Sequence, residues 1–468
     1  MPVTKAVNLS EKEAQLRHFI LNDTMFKVIL RIGLPIAFFQ GLNMLLRVLD
    51  SFMAASIDAP AVATVLYFAQ INLIINGLGL GLATGATLKI SQMYGKGDYE
   101  TVRKQISSLF AFAVICCIML LVLMIPLATP ILRLMNTPEE FVILGRNYFL
   151  IEFFGTMMMF LNGIYIALER VQGNAKRILK MNLVAMVIRL SFTAFSVYIL
   201  RRGITFIAIS TLLSQGFIFV VGLYHLMGKS EVFTLSLKDV TFKKPVLWPM
   251  ITISIPIMIE RSAFHVGKTI VNTMITGFGP LVVGGLGISN LICGISVAPQ
   301  MGFQDASISV MAQNLGASKH KRMIEAFKAV LMINMVQATL FFIPSWIFAR
   351  QITGLFALGD PMFHDIVYSV HILDLWGILP LGIYAAVMAL LFGLGYTKLT
   401  LLLNFCRIFL FRIPVLWYLQ NFTEMGPEAA GFVMMFSNVA VSLLSIIIGM
   451  MCINRLCKKH EIAFWSAI

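Results

Sequence analysis

The sequence predicts an all-α integral membrane protein with twelve transmembrane helices, arranged as two six-helix lobes related by a pseudo-two-fold axis along the membrane normal. Two observations support this fold class: apolar stretches recur along the whole chain, and the two halves of the chain resemble each other. Of the 468 residues, 59% are hydrophobic and only 12% are charged, and the mean hydropathy is +0.86. Soluble domains carry roughly a quarter charged residues, so this composition excludes them.

Twelve apolar segments are each long enough to cross a hydrocarbon core of roughly 30 Å. Transmembrane β-strands would show alternating stretches of about ten residues, whereas these segments are long and uninterrupted, which favours helices. Numbered 1 to 12 in chain order, they are 25–54, 60–90, 105–128, 143–168, 178–200, 204–227, 246–276, 280–312, 326–350, 364–393, 398–420 and 428–454.

The formal net charge of +14 arises mostly from loops on one side of the membrane. Basic residues follow segments 2, 4, 6 and 8, and they are Lys96, Arg103, Lys104, Arg170, Lys176, Arg177, Lys180, Lys229, Lys238, Lys243, Lys244, Lys319, Lys321, Arg322 and Lys328. The positive-inside rule places these loops and both termini in the cytoplasm, although Arg201 and Arg202 lie on the other side. We expect a multi-pass protein of a plasma membrane, a bacterial inner membrane, without a nucleic-acid partner.

A shift of about 221 residues aligns the two halves of the chain. The shift superposes Pro35 on Pro256 and Gln92 on Gln313, and with one extra residue it pairs Gly173 with Gly395. Because each half has an even number of segments, both halves cross the membrane in the same direction and the repeat is parallel. The predicted domains are an N-terminal tail (1–24), an N-lobe (25–227), a cytoplasmic linker (228–245), a C-lobe (246–454) and a C-terminal tail (455–468).

Segments 1 and 7 each carry polar residues along one helical face, within arcs of about 80° and 60° at 100° per residue. The first stripe contains Gln40, Asn43, Arg47 and Asp50, and the second contains Arg261, His265, Lys268 and Asn272, with Glu260 beside it. A charge at mid-bilayer costs roughly 2.5 to 3.5 kcal/mol, so such residues line an ion or substrate path or pair with one another. The stripes therefore predict a hydrated cavity, with structural ion pairs as the alternative.

Three stretches resemble the multidrug and toxic compound extrusion (MATE) family, closer to its DinF-like branch: GLPIAFFQGLNMLLRVLDSFMA, GLGLGLATGATLKISQMYGKGDYETVRK and FLNGIYIALERVQGNAK. The resemblance extends through both lobes. It implies a V-shaped two-lobe exporter, a secondary active transporter rather than an enzyme, that couples efflux to inward movement of H⁺ or Na⁺.

The resemblance also implies sites for the coupling cation. Asp50 matches the acid of the N-lobe site in the DinF-like branch, and Asn162 matches a polar member of that site. Segment 5 departs from the pattern, because Ala185 and Arg189 stand where that branch has an asparagine and an aspartate. We expect Arg189 to approach Asp50 and to stabilise its carboxylate, which weakens a simple protonation switch.

In the C-lobe, Glu260 matches the segment 7 acid that the NorM-like branch uses for cation binding. The segment 10 acid of that branch is not matched, since its place falls near Leu381, and Asp374, seven residues earlier, aligns poorly with it. Asp305 is an additional acid in segment 8. It either serves the C-lobe with Glu260, or pairs with Lys268 or His265 and only holds the lobe together.

Together these features predict an antiporter that exports lipophilic, cationic or zwitterionic small molecules, such as drugs, toxins or natural products, by alternating access. The coupling residues are Asp50, Glu260 and Asp305, with Na⁺ at Asp50 or Glu260 if Na⁺ is the ion. The cavity-lining residues are Gln40, Asn43, Arg47, Asn162, Asn182, Arg189, Arg261, His265, Lys268 and Asn272. We expect no catalytic residues and no cofactor beyond H⁺ or Na⁺, contact with membrane lipids, and a monomer.

The alternative is a flippase for a lipid-linked saccharide or another amphiphile of the same superfamily. A cavity rich in Arg47, Arg189, Arg261 and Lys268 would suit a pyrophosphate or carboxylate head group, but the two extra helices common in such flippases are missing. An enzyme is not supported, because no HExxH or GxSxG motif occurs. The GLGLGLATG stretch lacks the GKS or GKT of a phosphate loop, so it predicts close helix packing or a bend.

Overall fold

The computed structural model describes residues 9–55, 59–134, 139–199, 205–228, 230–357 and 359–462. Within these ranges, the side chains of residues 45–55, 59–71, 131, 132, 134, 139–145, 197 and 198 are not described. Every regular element in the described ranges is a helix. This confirms the all-α prediction.

The α-helices are α1 (Glu11–Asn22), α2 (Met25–Ala55), α3 (Ala59–Lys96), α4 (Tyr99–Leu134), α5 (Glu139–Gln172), α6 (Ala175–Ala194), α7 (Thr205–Leu226), α8 (Lys244–Ile275), α9 (Pro280–Gly316), α10 (His320–Ile347), α11 (Ala349–Gly354), α12 (Pro361–Asp374), α13 (Ile378–Leu394), α14 (Thr397–Phe405), α15 (Ile413–Phe422) and α16 (Glu428–Lys459). Two π-helical segments follow α6 and α14, at Phe195–Ile199 and Cys406–Leu410. Short 3₁₀ turns occur at Leu237–Asp239, Thr276–Phe278 and Leu375–Gly377.

Eleven helical stretches within the described ranges are long and apolar enough to cross a membrane. The remaining predicted segment, 178–200, coincides with α6 and the π segment that follows it. This helix carries four basic residues, Lys176, Arg177, Lys180 and Arg189, which lower its apolar character. Segment 10 is interrupted at Leu375–Gly377, where α12 and α13 meet. The prediction of a multi-pass membrane protein is confirmed.

The chain divides into two compact units, and the division falls inside two long helices. The first unit contains Met1–Phe19 and Arg47–Ser262, and the second contains Ile20–Leu46 and Ala263–Ile468. The boundaries lie within α2 and α8, so the beginning of each helix belongs to one unit and its end to the other. The beginning of α2 is therefore part of the C-terminal unit, and the beginning of α8 is part of the N-terminal unit.

In the first unit, glycines of the GLGLGLATG stretch bring α3 close to the beginning of α8. A Cβ atom on Gly81 would lie 2.6 Å from the Cα of Met258, and one on Gly85 would lie 2.5 Å from the Cα of Ser254. Ser254 Oγ in turn donates to the carbonyl oxygen of Leu82 at 3.2 Å. Since such spacing leaves no room for any side chain, the stretch is a helix-packing surface, as the sequence predicts.

In the second unit, a glycine allows the same close packing between α9 and the beginning of α2. A Cβ atom on Gly302 would lie 2.5 Å from the Cα of Ala37. The shift that aligns the two halves of the sequence superposes Gly302 on Gly81 and Ala37 on Met258. The internal repeat is therefore present in the packing of the two units as well as in the sequence.

Candidate functional site

A cavity of about 170 Å³ lies within the second unit. Four of its lining side chains are charged, and three of these are basic: Lys268, Arg407 and Arg412, against Asp374. Amides line it as well, at Asn290, Gln300, Gln304 and Asn438, and so do apolar and aromatic groups that include Phe264, Leu381, Tyr384 and Met434. The lining thus combines basic, amide and apolar groups.

Arg407 is held by hydrogen bonds and by two aromatic rings. Its side chain is 8% exposed, and its Nε and Nη2 atoms donate to Asn438 Oδ1 at 3.1 and 2.8 Å. Its Cζ atom lies 5.6 Å from the ring centroids of both Phe264 and Tyr384. These two aromatic faces hold the guanidinium plane by cation–π attraction.

Arg412 shares the acceptor that Arg407 uses. It is 4% exposed, and its Nη2 donates to Asn438 Oδ1 at 3.3 Å while its Nε donates to Ser437 Oγ at 3.1 Å. Within the described ranges, no carboxylate oxygen lies within 4.0 Å of a nitrogen of either arginine. Two buried cations are thus held close together by one neutral amide oxygen and a hydroxyl.

The π segment Cys406–Leu410 explains why both arginines face the cavity. In a regular α-helix, residues five apart would point about 140° away from each other. Here the amide of Phe411 donates to the carbonyl of Cys406 at 2.9 Å, a hydrogen bond that spans five residues and widens the turn. The widened turn brings Arg407 and Arg412 onto one face of the helix.

Asp374, the last residue of α12, is the acid of the cavity. It is 6% exposed, and its Oδ2 accepts a hydrogen bond of 2.8 Å from Ser289 Oγ on α9. The same hydroxyl lies 3.2 Å from Nδ1 of the buried His371. Asp374 attracts both Arg412 and Arg407 electrostatically, without a direct ion pair to either.

Sequence reasoning set Asp374 aside in favour of the position of Leu381, yet both residues line this cavity. Arg407 and Arg412 were missed altogether, because the α-helical period separates them. No feature of the sequence alone signals the π segment that brings them together.

The first unit contains a second arrangement of an acid and an arginine. Glu152 on α5 is attracted electrostatically by Arg189 on α6, which also interacts with Tyr148. The register of the repeat that pairs Gly173 with Gly395 superposes Glu152 on Asp374. Glu152 was not predicted, although this register would have revealed it. The expected approach of Arg189 to Asp50 stays a prediction, because the side chain of Asp50 is not among those described.

The predicted asparagines of the first unit are buried and hydrogen-bonded. Asn162 Nδ2 donates to the carbonyl oxygen and to Oε1 of Gln215 on α7, at 2.9 and 3.0 Å. Asn182 Nδ2 donates to the carbonyl of Ile178 in its own helix, at 2.8 Å. Asn162 therefore joins two helices, whereas the amide hydrogens of Asn182 act inside α6.

Glu260 and Arg261 lie on the part of α8 that belongs to the first unit. Glu260 is 4% exposed, and Arg261 is half-buried, with its backbone against Gly77 of α3. The neighbouring Ser262 Oγ donates to the carbonyl of Ile74 at 3.2 Å. This part of α8 thus carries a buried acid where the helix packs closely on α3.

Of the residues predicted in the second unit, Lys268 reaches the cavity described above. Gln40, Asn43, His265, Asn272 and Asp305 are half-buried elsewhere in that unit. The side chains of Arg47 and Asp50 lie outside the described residues, so the role of Asp50 stays a prediction. Among the described side chains, no group of three or more His, Cys, Asp and Glu residues is placed to hold a metal ion.

The family model MatE matches this chain twice, over residues 35–195 and 256–418. The chain belongs to the MATE family. The two matches begin at Pro35 and Pro256, the same two prolines that the internal repeat superposes. Membership confirms a transporter rather than an enzyme, in a family of multidrug efflux proteins.

Two relatives and a solved MATE structure resemble the chain over most of its length. The probable multidrug resistance protein YoeA of Bacillus subtilis is 22% identical over 372 residues, which cover 78% of this chain and 80% of YoeA. An FAD transporter of Shewanella oneidensis is 21% identical over 406 residues, covering 85% and 89%. A crystal structure of MATE in complex with MaL6 superposes with a TM-score of 0.90 at 18% identity, covering 96% of this chain and all of that one. The predicted two-lobe MATE fold is confirmed.

Proposed function

We propose that this MATE family chain exports lipophilic organic molecules from the cytoplasm across the plasma membrane, by alternating access, in exchange for H⁺ or Na⁺. The observation that carries the proposal is the double MatE match, one in each half, in a chain whose relatives include proteins named for multidrug resistance. Because one chain supplies both halves of the repeat, a monomer is the proposed working unit.

Glu260 is the proposed coupling acid that the described residues support best. It is 4% exposed on a membrane-spanning helix, where an ionised carboxylate is costly and binding of H⁺ or Na⁺ removes the cost. Bound cation would favour the state that releases the cargo, since a ligand shifts an equilibrium only through its different affinity for the two states. Asp50 and the half-buried Asp305 remain proposed contributors.

The charge of the cavity bears on which cargo is proposed. Three of its four charged side chains are basic, which disfavours a purely cationic cargo and favours a zwitterionic one. The name of the FAD transporter among the relatives agrees with this direction, because FAD is an anionic dinucleotide. A lipophilic molecule with an anionic group is thus the proposed cargo class.

Export by purified protein in proteoliposomes tests the coupling. A fluorescent cargo is followed under a pH gradient, under a Na⁺ gradient and under neither. We expect Glu260→Gln to lower gradient-driven export about tenfold or more, because it removes the group that binds the cation. The exposed Glu424 provides the matched control, Glu424→Gln, which should keep full activity. Unchanged ion-dependent export in both Glu260→Gln and Asp50→Asn would refute cation coupling through these acids.

A flippase for a lipid with an anionic head group is the second candidate. The observation in its favour is the pair of buried arginines, Arg407 and Arg412, since guanidinium groups bind phosphate in a bidentate manner. Translocation of a labelled phospholipid is measured beside export of the soluble cargo in the same proteoliposomes. Lipid translocation without soluble export would favour the flippase.

A further inference from the structure

We propose that the cavity of the second unit binds the carboxylate or phosphate group of an anionic amphiphile, through Arg407 and Arg412. The proposal deepens the proposed function and rests on it, because it names the chemistry of the transported molecule. The cavity, the two arginines and their hydrogen bonds all lie within one unit of the chain.

The charges around the two arginines are unbalanced. Arg407 and Arg412 are 8% and 4% exposed, and their acceptors, Asn438 and Ser437, are neutral. Buried charges in proteins are normally paired with opposite charges. The carboxylate on the wall, Asp374, forms no direct ion pair with either guanidinium and is hydrogen-bonded to Ser289 instead. In the described part of the chain, the two buried positive charges therefore lack a directly bonded negative charge, which the anionic group of a ligand can supply.

The geometry fits a single anion that contacts both arginines. Three guanidinium nitrogens lie within 3.3 Å of one atom, Asn438 Oδ1, so the two cationic groups are neighbours. They repel each other electrostatically, and a negative group between them would relieve that repulsion. Within the described residues, the Nη1 atom of each arginine makes none of these hydrogen bonds, which leaves donors for a carboxylate or phosphate oxygen.

The size and the walls of the cavity indicate which part of a ligand it holds. Its volume of about 170 Å³ is close to that of a cavity that holds benzene, roughly 150 Å³, and below the roughly 300 Å³ of a drug-sized site. Phe264, Leu381 and Met434 add apolar surface to the lining. The cavity thus accommodates an anionic head and the first apolar atoms behind it.

Binding is tested without any ion gradient, so that its result is independent of transport. The full chain is placed in nanodiscs of phosphatidylcholine, and fluorescence anisotropy follows three probes of equal length: pyrene butyrate, pyrene butanol and pyrene butyl trimethylammonium. We expect the carboxylate probe to bind about tenfold more tightly than the other two. Equal affinities, or tighter binding of the trimethylammonium probe, would overturn the proposal.

Substitutions locate the site. Arg407→Gln and Arg412→Gln should each weaken binding of pyrene butyrate about tenfold and leave pyrene butanol unchanged, and the lysine variants should retain part of the affinity. Arg350 is the matched control, because it is exposed and pairs with Asp365 away from the cavity, so Arg350→Gln should bind as the unsubstituted chain does. If a glutamine variant does not fold, displacement of pyrene butyrate from the unsubstituted chain by inorganic pyrophosphate decides, and failure to displace counts against the site.

Two further arms identify the source of the anion and separate the two proposals. In nanodiscs that contain phosphatidic acid, weaker probe binding would identify a lipid head group as the occupant, and unchanged binding would identify a free solute; both support an anion site. Gradient-driven export that persists while the carboxylate probe binds no better than the alcohol would refute the anion site alone. Selective binding without any export would refute the proposed function alone.

Discussion

Glu152 and Asp374 occupy equivalent positions in the two halves of this chain, and each is attracted by an arginine of the next predicted membrane segment. The arginines themselves are not equivalent. Arg189 falls on Phe411, next to Arg412, and Ala185 falls on Arg407. The repeat therefore keeps an acid in both halves but places two arginines in one half and a single arginine in the other. The second arginine contributes to the excess of positive charge in the lining of the cavity.

Neutralising Asp374 should strengthen anion binding. Asp374→Asn removes the only acid among the described lining residues and with it the negative charge that competes for the two arginines, so affinity for pyrene butyrate should rise about threefold or more. Anisotropy in phosphatidylcholine nanodiscs measures the change. The exposed Asp365, changed to asparagine, is the control. A fall in affinity would mean that Asp374 helps to bind the ligand and does not compete with it.

The Glu152 and Arg189 pair should show coupling in a double-mutant cycle. Arg189→Gln leaves a half-buried carboxylate without its arginine and should destabilise the protein by roughly 1 to 3 kcal/mol, between the values of surface and buried pairs. The Glu152→Gln and Arg189→Gln double variant should be more stable than the sum of the single changes predicts. Thermal unfolding in detergent, followed by tryptophan fluorescence, measures the effect. Strict additivity would show that the two side chains do not interact.

The fold was accessible from the sequence because it depends on features that a sequence carries directly. Apolar length specifies membrane-spanning helices, and the similarity between the halves specifies the repeat that the MatE matches confirm. The close packing at Gly81 also follows from the GLGLGLATG stretch, whereas the equivalent contact at Gly302 was not predicted. The beginning of α2 belongs to the C-terminal unit and the beginning of α8 to the N-terminal unit. This assignment was not predicted, because no local sequence pattern encodes it.

The sequence predicts the lining of the cavity only in part. The polar stripe of segment 7 predicts Lys268 as a cavity residue, whereas the family alignment points to the position of Leu381 and not to Asp374. Arg407 and Arg412 could not be found, since periodicity assumes about 3.6 residues per turn and the π segment departs from it. Helical wheels fail at the positions where a changed helical geometry builds the site.

The glycine contacts of the two units should be intolerant of alanine. Gly81→Ala and Gly302→Ala place a Cβ atom within 2.6 Å of a neighbouring backbone, so the helices must separate, at a cost of roughly 1 to 3 kcal/mol each. Gly287 is the matched control in α9, because a Cβ atom there would meet nothing within 4 Å. Gly287→Ala should be neutral or stabilising by up to about 1 kcal/mol. Thermal unfolding midpoints should therefore fall in the first two variants and stay level or rise in the third.

Asn438 offers a variant in which stability and binding should change in opposite directions. Its Oδ1 atom already accepts hydrogen bonds from both Arg407 and Arg412. Asn438→Asp keeps the shape of the side chain and adds a negative charge at that atom. The hydrogen bonds from the two arginines then end on a carboxylate and become ion pairs. The unfolding free energy should rise by roughly 1 to 3 kcal/mol.

The new carboxylate of Asn438→Asp should neutralise the two arginines in place of the ligand's anionic group. Affinity for pyrene butyrate should therefore fall about tenfold in Asn438→Asp, although the protein is more stable. Ser437→Asp is unsuitable as a control because it contacts Arg412, so the exposed Asn421, changed to aspartate, serves instead. Because loss of folding would lower stability and binding together, a gain in the first with a loss in the second can arise only from charge inside the cavity. Unaltered binding in a stabilised Asn438→Asp variant would show that anions bind elsewhere.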